Sequence, residues 1–237
     1  MREGVSAEEP VRLNLGAGGQ SDPGWIAYDR SRGPLIARSH ALSKLAAMTA
    51  RRGGSSTASW AWPPDTRVHD VTRGIPHASG SVDAIYSSHM LEHLTRQQAR
   101  FLVRECYRVL KAGGSLRLVV PDLEVLVHAY IADDRTILAA DEPTAADAFV
   151  EGLGLREARS ENPLIRVAQR VLRSDVGGHR WMYDGTSLAH LVREAGFVDV
   201  ARVDFGQGRD AAAASLDHRS PFHVHLEAFR PATDLHA

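Results

Sequence analysis

Cysteine is almost missing from this chain. Cys106 is the only one in 237 residues, so no internal disulfide can form and a reducing cytoplasm fits. An excess of either charge is missing too. Lys and Arg number 28 against 29 Asp and Glu, a formal net charge of −1. That balance removes the electrostatic ground for non-specific binding to nucleic acid or to an anionic membrane. No apolar run approaches the roughly twenty residues that a membrane helix needs. The opening MREGVSAEEPVR lacks the apolar core of a secretory signal. Lysine is scarce, with Lys44 and Lys111 alone among many arginines and alanines. Such usage accompanies GC-rich genomes and carries no chemistry. Repeats and long disordered linkers are also absent.

What is present is ordinary for a globular chain. Hydrophobic residues at 43% and charged residues at 24% allow a real core, and the length suits one domain with sizeable insertions. Short apolar runs alternate with helical patterns, which predicts a doubly wound α/β fold with a mostly parallel sheet. Strands are expected at Val11–Leu15, Trp25–Tyr28, Arg67–Val71, Val82–Ser87 and Ser115–Val120. Gln97–Leu110 predicts an amphipathic helix with Phe101, Leu102, Cys106, Val109 and Leu110 on its apolar face, stopped by Lys111-Ala-Gly-Gly. Thr186–Ala195 predicts another, ended by Gly196. Val198–Val203 and Val224–Phe229 read as a closing antiparallel pair. Two stretches interrupt this alternation, a basic helical segment at Leu35–Arg51 followed by GGSSTASWAWPPD, and a helical one at Asp133–Asp175. Both follow strand ends, where open α/β sheets take ligands. They are expected to form a substrate cap over residues 32–64 and 133–178.

The strongest local signal is Leu13-Asn-Leu-Gly-Ala-Gly-Gly-Gln20, an apolar strand running into glycines. Gly16, Gly18 and Gly19 let the backbone turn sharply and approach a ligand. Successive N–H groups in such a loop can hold an anion, either a pyrophosphate or the carboxylate of an amino-acid cofactor, although a plain turn has the same composition. A nicotinamide fingerprint would need glycine where Ser21 stands. Asp29 follows Gly16 by thirteen positions, against the roughly twenty of the dinucleotide pattern. A carboxylate at the end of a second strand can accept from both hydroxyls of a ribose. Asp70, in His69-Asp-Val71, could accept from an exocyclic amine such as that of adenine, or be a solvated loop acid.

In this arrangement the chain resembles the class I S-adenosylmethionine-dependent methyltransferase family, closest to a bacterial small-molecule branch with an LEH motif. The resemblance rests on LNLGAGG (Leu13–Gly19), GWIAYD (Gly24–Asp29), HDV (His69–Val71), SVDAIYSSHMLEHL (Ser81–Leu94), RECYRVLKAGGSLRLVVPDL (Arg104–Leu123) and HRWMYD (His179–Asp184). It implies a seven-stranded Rossmann-like sheet and S-adenosyl-L-methionine as cofactor. It implies that Leu15, Gly16, Ala17, Gly18 and Gly19 face the methionine carboxylate, Asp29 and Arg30 the ribose, and Asp70 and Val71 the adenine. Ser87, Ser88 and His89 would pass beneath the sulfonium. The family often has cysteine at the place of Ala17, and a shorter path than Asp29 to Arg67 between strands two and three.

Methyl transfer from a sulfonium needs an aligned nucleophile and often a base, and histidine is the natural base near neutral pH. Of twelve histidines, His93 is the first choice, His179 the second, and His89 shares the same edge. Capping a helix or closing a core hydrogen bond is the alternative for each. His89-x-x-Glu92-His93 also sets three potential ligands on one turn. Its first position is histidine rather than the acid of metal-dependent methyltransferases, so polar packing is preferred and no metal is expected. Asp122 could orient a substrate or cap a helix. Trp60 and Trp62 could stack on a flat substrate or anchor their loop. Arg38, Arg51 and Arg52 read as a solvated face.

The function expected is methyl transfer to an oxygen or nitrogen of a small molecule, in secondary metabolism or on a sugar or glycan precursor. A methyltransferase acting on protein or RNA, and a non-catalytic S-adenosylmethionine-binding module, are the alternatives. A small-molecule substrate, no nucleic acid, no membrane and a cytoplasmic location are expected, and a homodimer is compatible with the sequence.

Overall fold

The computed structural model describes residues 9–20, 22–32, 34–35, 63, 65–138, 141–155, 178–218 and 222–233. Its strands are β1 (Arg12–Leu15), β2 (Ile26–Asp29), β3 (Arg67–Val68), β4 (Val82–Ser88), β5 (Leu110–Pro121), β6 (Val198–Arg202) and β7 (His223–Phe229). They form one seven-stranded sheet in the order β3-β2-β1-β4-β5-β7-β6. β1 pairs in parallel with β2 and β4, β2 with β3, and β4 with β5. β7 runs antiparallel between β5 and β6. The doubly wound, mostly parallel expectation therefore holds, including the closing antiparallel pair.

Local chemistry sets the elements. Val82–Ser88 is buried nearly throughout, as a central parallel strand covered on both faces must be. Helix α1 (Arg96–Val109) starts at Thr95, whose hydroxyl accepts from Gln98 N–H while the Gln98 side chain accepts from Thr95 N–H. It buries Ala99, Leu102, Val103, Cys106 and Val109 against the sheet. Phe101, expected on that face, is 42% exposed. The remaining helices are α2 (Leu123–Ala132), α3 (Ala145–Gly152), α4 (Gly185–Glu194) and α5 (Ala211–Ala214).

The start of β5 and the end of β3 differ from expectation. β5 begins at Leu110, not Ser115, because Leu110 already takes extended backbone and pairs with Val82. β3 stops at Val68 rather than Val71. Asp70 accepts from Thr72 N–H and turns Val71–Arg73 into a short 3-10 helix. The second insertion contains the helix α3 within its described part; its residues 156–177 lie outside the described residues. So does the first insertion beyond Leu35, with Arg38, Arg51, Arg52, Trp60 and Trp62. Among the described residues no helix is long and apolar enough to cross a membrane.

Where β5 meets β7, a guanidinium is fully buried. Arg117 pairs with Asp217 and donates to the Gln207 carbonyl at 2.8 Å, while His225 Nδ1 stands 3.0 Å from the Asp217 carboxylate. Burial pushes the Asp217 carboxyl up, but His225, Arg117 and the Gly206 N–H bring it to about 2, from an ordinary 3.8. A carboxyl depressed by folding stabilises above its unfolded pKa and loses that contribution as pH falls toward the folded one. Equilibrium unfolding is therefore expected to show stability declining from about pH 4 to pH 2, with roughly 2 kcal/mol from this group. Asp217→Asn should flatten that part of the profile. At neutral pH it should cost about 3–5 kcal/mol in denaturant titrations, because Arg117 stays buried without a counter-charge.

Candidate active site

Strand order reverses between β1 and β4, so the loops leaving their C-terminal ends part and open a crevice. Ser87 Oγ donates to the Leu15 carbonyl at 2.9 Å and ties the two strand ends together. The loop after β1 turns at Gly16, whose φ of +69° suits glycine. A Cβ there would stand 2.5 Å from Met90 Sδ, so the first loop and the segment after β4 are in direct apposition.

The loop is held from β2. Gly16 and Ala17 N–H both donate to the Tyr28 carbonyl, at 2.9 and 3.2 Å. Gly18 N–H donates to Asp29 Oδ2 at 3.0 Å, and Ser31 N–H to Asp29 Oδ1 at 2.7 Å. The N–H groups of Gly16, Ala17 and Gly18, expected to face an anion, are engaged with the end of β2, because the Tyr28 carbonyl and the Asp29 carboxylate lie within their reach. What the loop offers a ligand is its shape: nothing lies within 4 Å of the position a Gly18 Cβ would take. Leu15 is buried at the end of β1, and Gly19 is exposed at the loop's tip.

Asp29 is half-buried and Arg30, beside it, is exposed. Burial raises the Asp29 carboxyl, opposed by the Ser31 and Gly18 N–H groups and by Arg30. Each of its oxygens accepts one of those bonds and keeps acceptor capacity for a hydroxyl. Asp70 caps the 3-10 turn, accepting also from the Thr72 hydroxyl at 2.6 Å. Burial raises its carboxyl, but the Thr72 bonds and Arg73 outweigh this and leave it below the ordinary value. Val71 packs into the main core, and Ser87 and Ser88 are buried at the end of β4.

Beyond β4 the histidines gather. His89 has φ +52°, uncommon outside glycine, and its ring stands 4.6 Å from that of His223. His89 Nδ1 is 3.3 Å from Glu92 Oε1. Glu92 is 1% exposed, and its carbonyl accepts from Arg180 N–H at 2.7 Å and Trp181 N–H at 3.2 Å. Those bonds bring His179 in from the far side of the second insertion, and its ring centroid lies 4.9 Å from that of His93. One ligating atom from each of Glu92, His93 and His179 falls within 4.8 Å of the others. The structure thus joins His93 to His179 through Glu92, with His89 as a flank. Burial, His93 and His89 depress the His179 imidazole more than Glu92 and the Leu153 carbonyl raise it. Asp122 takes the capping place of its two expected ones. It caps α2 through Glu124 N–H at 3.0 Å and pairs with Arg202 at 2.7 Å.

His223 and Gly154 were missed by sequence reasoning. His223 opens an apolar strand and carries no local signal. Gly154 lies where a Cβ would come 2.4 Å from His179 Nδ1, a closeness visible only in three dimensions.

Residues 13–118 match the family profile described as a methyltransferase domain. That stretch carries β1 to β4, most of β5 and the loops after β1 and β4 that open the crevice. The match covers less than half of the chain, and the cofactor it implies is S-adenosylmethionine. The residues present fit that cofactor, with an open loop face at Gly18 and an acceptor-rich carboxylate at Asp29. A search of the curated proteins finds no match. The chain is also similar to several solved structures. The S-adenosylmethionine-dependent methyltransferase SibL is 17% identical, with 94% of this chain and 51% of that chain covered and a TM-score of 0.44. The DszA carbon methyltransferase is 17% identical, with 99% and 50% covered and a TM-score of 0.44. A SAM-dependent methyltransferase from Thermotoga maritima is 15% identical, with 95% and 84% covered and a TM-score of 0.45. The chain spans about half the length of the first two.

Gly16→Ala places a Cβ against Met90 and forces a side chain into φ +69°. The backbone penalty alone is about 1–2 kcal/mol. If the loop relaxes out of its bound shape to relieve it, calorimetry should show S-adenosylmethionine binding weakened by about tenfold or more, with circular dichroism unchanged. Unchanged affinity would separate the loop from the cofactor.

Proposed function

We propose that this chain transfers a methyl group from S-adenosylmethionine to an oxygen or nitrogen of a small molecule, such as a secondary metabolite or a sugar or glycan precursor. The observation that carries this reading is the grouping of His89, Glu92, His93 and His179 just past β4, with Met90 of the same turn pressed against the glycine loop. Groups able to manage an acceptor's proton thus adjoin the place where a cofactor held by that loop would present its methyl.

Bound S-adenosylmethionine supplies a methyl group on a sulfonium, open to in-line displacement. Leu15, Gly16, Ala17, Gly18 and Gly19 would shape the seat of its amino-acid end. Asp29 and Arg30 would take the ribose, Asp70 and Val71 the adenine. Ser87, Ser88 and His89 would line the floor. The acceptor's O–H or N–H proton would be drawn off among His93, His179 and His89, whose ring nitrogens can act as bases. As the nucleophile bonds to the methyl carbon, the carbon–sulfur bond breaks with its electron pair on sulfur, and the positive charge disappears.

The second insertion reaches this edge through Gly154, whose carbonyl accepts from His179 N–H at 3.0 Å. That supports reading residues 133–178 as a wall of the acceptor pocket; residues 32–64 join the cap by their position after β2 alone. The balanced charge supports a small acceptor over nucleic acid. A buried single cysteine fits a cytoplasmic setting, and a homodimer is compatible with it.

The reading is tested with methyl-tritiated cofactor and a panel of small hydroxyl and amine acceptors, with RNA and protein alongside. Label is expected in small molecules, reduced about 10²- to 10⁴-fold in His93→Ala, the usual weight of a general base. Label only in RNA or protein would move the acceptor class. Cofactor binding without transfer to any acceptor would favour a binding module.

A further inference from the structure

Glu92 poses a problem that methyl transfer alone does not resolve. Its side chain is 1% exposed, and among the described residues neither carboxylate oxygen accepts a hydrogen bond. The nearest charged or titratable partner is His89 Nδ1 at 3.3 Å, outside good hydrogen-bond geometry. A buried carboxylate without donors is costly and calls for a cation. The groups facing it are the imidazoles of His89, His93 and His179, and an imidazole nitrogen is a common metal ligand.

We infer that Glu92, His93 and His179 form a binding site for one divalent first-row transition-metal ion of the zinc class. Two histidines and one carboxylate with further positions open make a ligand set suited to zinc or iron(II). Atoms bound about 2.1 Å from one ion stand roughly 3 to 4.2 Å apart, and the three ligand atoms here lie within 4.8 Å of one another. Closing that gap takes small side-chain adjustments.

The surroundings are built for ligation. Glu92 and His93 share the turn Leu91–His93, while His179 is fixed to it through the Arg180 and Trp181 N–H bonds to the Glu92 carbonyl. Gly154 leaves room for the His179 ring, since a Cβ there would come 2.4 Å from Nδ1. His89 stands outside the trio, with its Nδ1 3.3 Å from Glu92 Oε1. The trio on one turn in the sequence, His89-Glu92-His93, suggested polar packing; folding exchanges His89 for the distant His179 and changes that reading.

The ion's role rests on the methyltransferase reading: held at the edge of β4 by His93 and His179, it would orient an acceptor oxygen or nitrogen and favour its deprotonated form, leaving His89 to take the proton. The site itself does not need that reading. Full-length, untagged protein is stripped with chelator and titrated with cobalt(II), followed by its visible absorption, and with zinc by competition. One equivalent per chain is expected. His179→Ala and Glu92→Gln should each weaken binding by about a hundredfold, while the exposed-helix variant His190→Ala leaves it unchanged. Circular dichroism and melting confirm that each variant is folded. Should His179→Ala fail to fold, Gly154→Ala, which crowds the His179 ring, should weaken cobalt binding in its place. Substoichiometric binding in the wild type, or binding indifferent to both ligand variants, overturns the site. S-adenosylmethionine binding is measured on the same stripped protein. Cofactor binding without metal binding defeats the metal site alone; metal binding without cofactor binding defeats the methyltransferase reading and leaves the site standing.

Discussion

Between β1 and β4 the sheet changes the direction in which it adds strands, and the site depends on that reversal. Crossovers from β1 lead outward to β2 and β3, those from β4 lead the other way to β5, and the loops at the two strand ends must part. Ser87 closes the floor of the gap by donating to the Leu15 carbonyl. Above that floor, Met90 meets the glycine loop and fixes how far apart the two sides stand. A ligand lying across the gap touches residues far apart in the chain without any further movement of the sheet.

Two carboxylates at this edge have opposite fates. Asp29 is half-buried with two backbone donors, so its charge helps hold the loop and keeps acceptor capacity in reserve. Glu92 is deeper and, among the described residues, has no donors. In a low-dielectric interior the first arrangement is stable as it stands, and the second asks for something more. Arg117 and Asp217, buried at the other end of β5, show how the same chain treats an ion pair that needs nothing else. Every strong donor there has an acceptor, and His225 closes the third side.

Much of the framework was legible because it follows local rules. The run Leu13–Gly19 reads as a strand entering a turn, and the apolar spacing of Gln97–Leu110 reads as the helix α1. The start of β5 was not, since Lys111-Ala-Gly-Gly has the composition of a stop and only pairing with Val82 makes it a strand. α5 is four alanines without periodicity and gave no signal. Of the site, Asp29, His89 and His93 could be found by their place after strand ends. The use of the loop N–H groups could not, because it depends on where the Tyr28 carbonyl lies. The meeting of His179 with Glu92 and His93 depends on backbone bonds across the second insertion, which no local pattern encodes.

The central claim is that the crevice between β1 and β4 holds an adenosyl cofactor through the loop that Asp29 secures. Calorimetric titration with S-adenosylmethionine, S-adenosylhomocysteine and NADH, on wild type and Asp29→Ala, tests it most directly. The account predicts binding of both adenosyl ligands, none of NADH, and loss of the adenosyl signal in the variant. Binding of NADH in preference, or adenosyl binding untouched by Asp29→Ala, would contradict it.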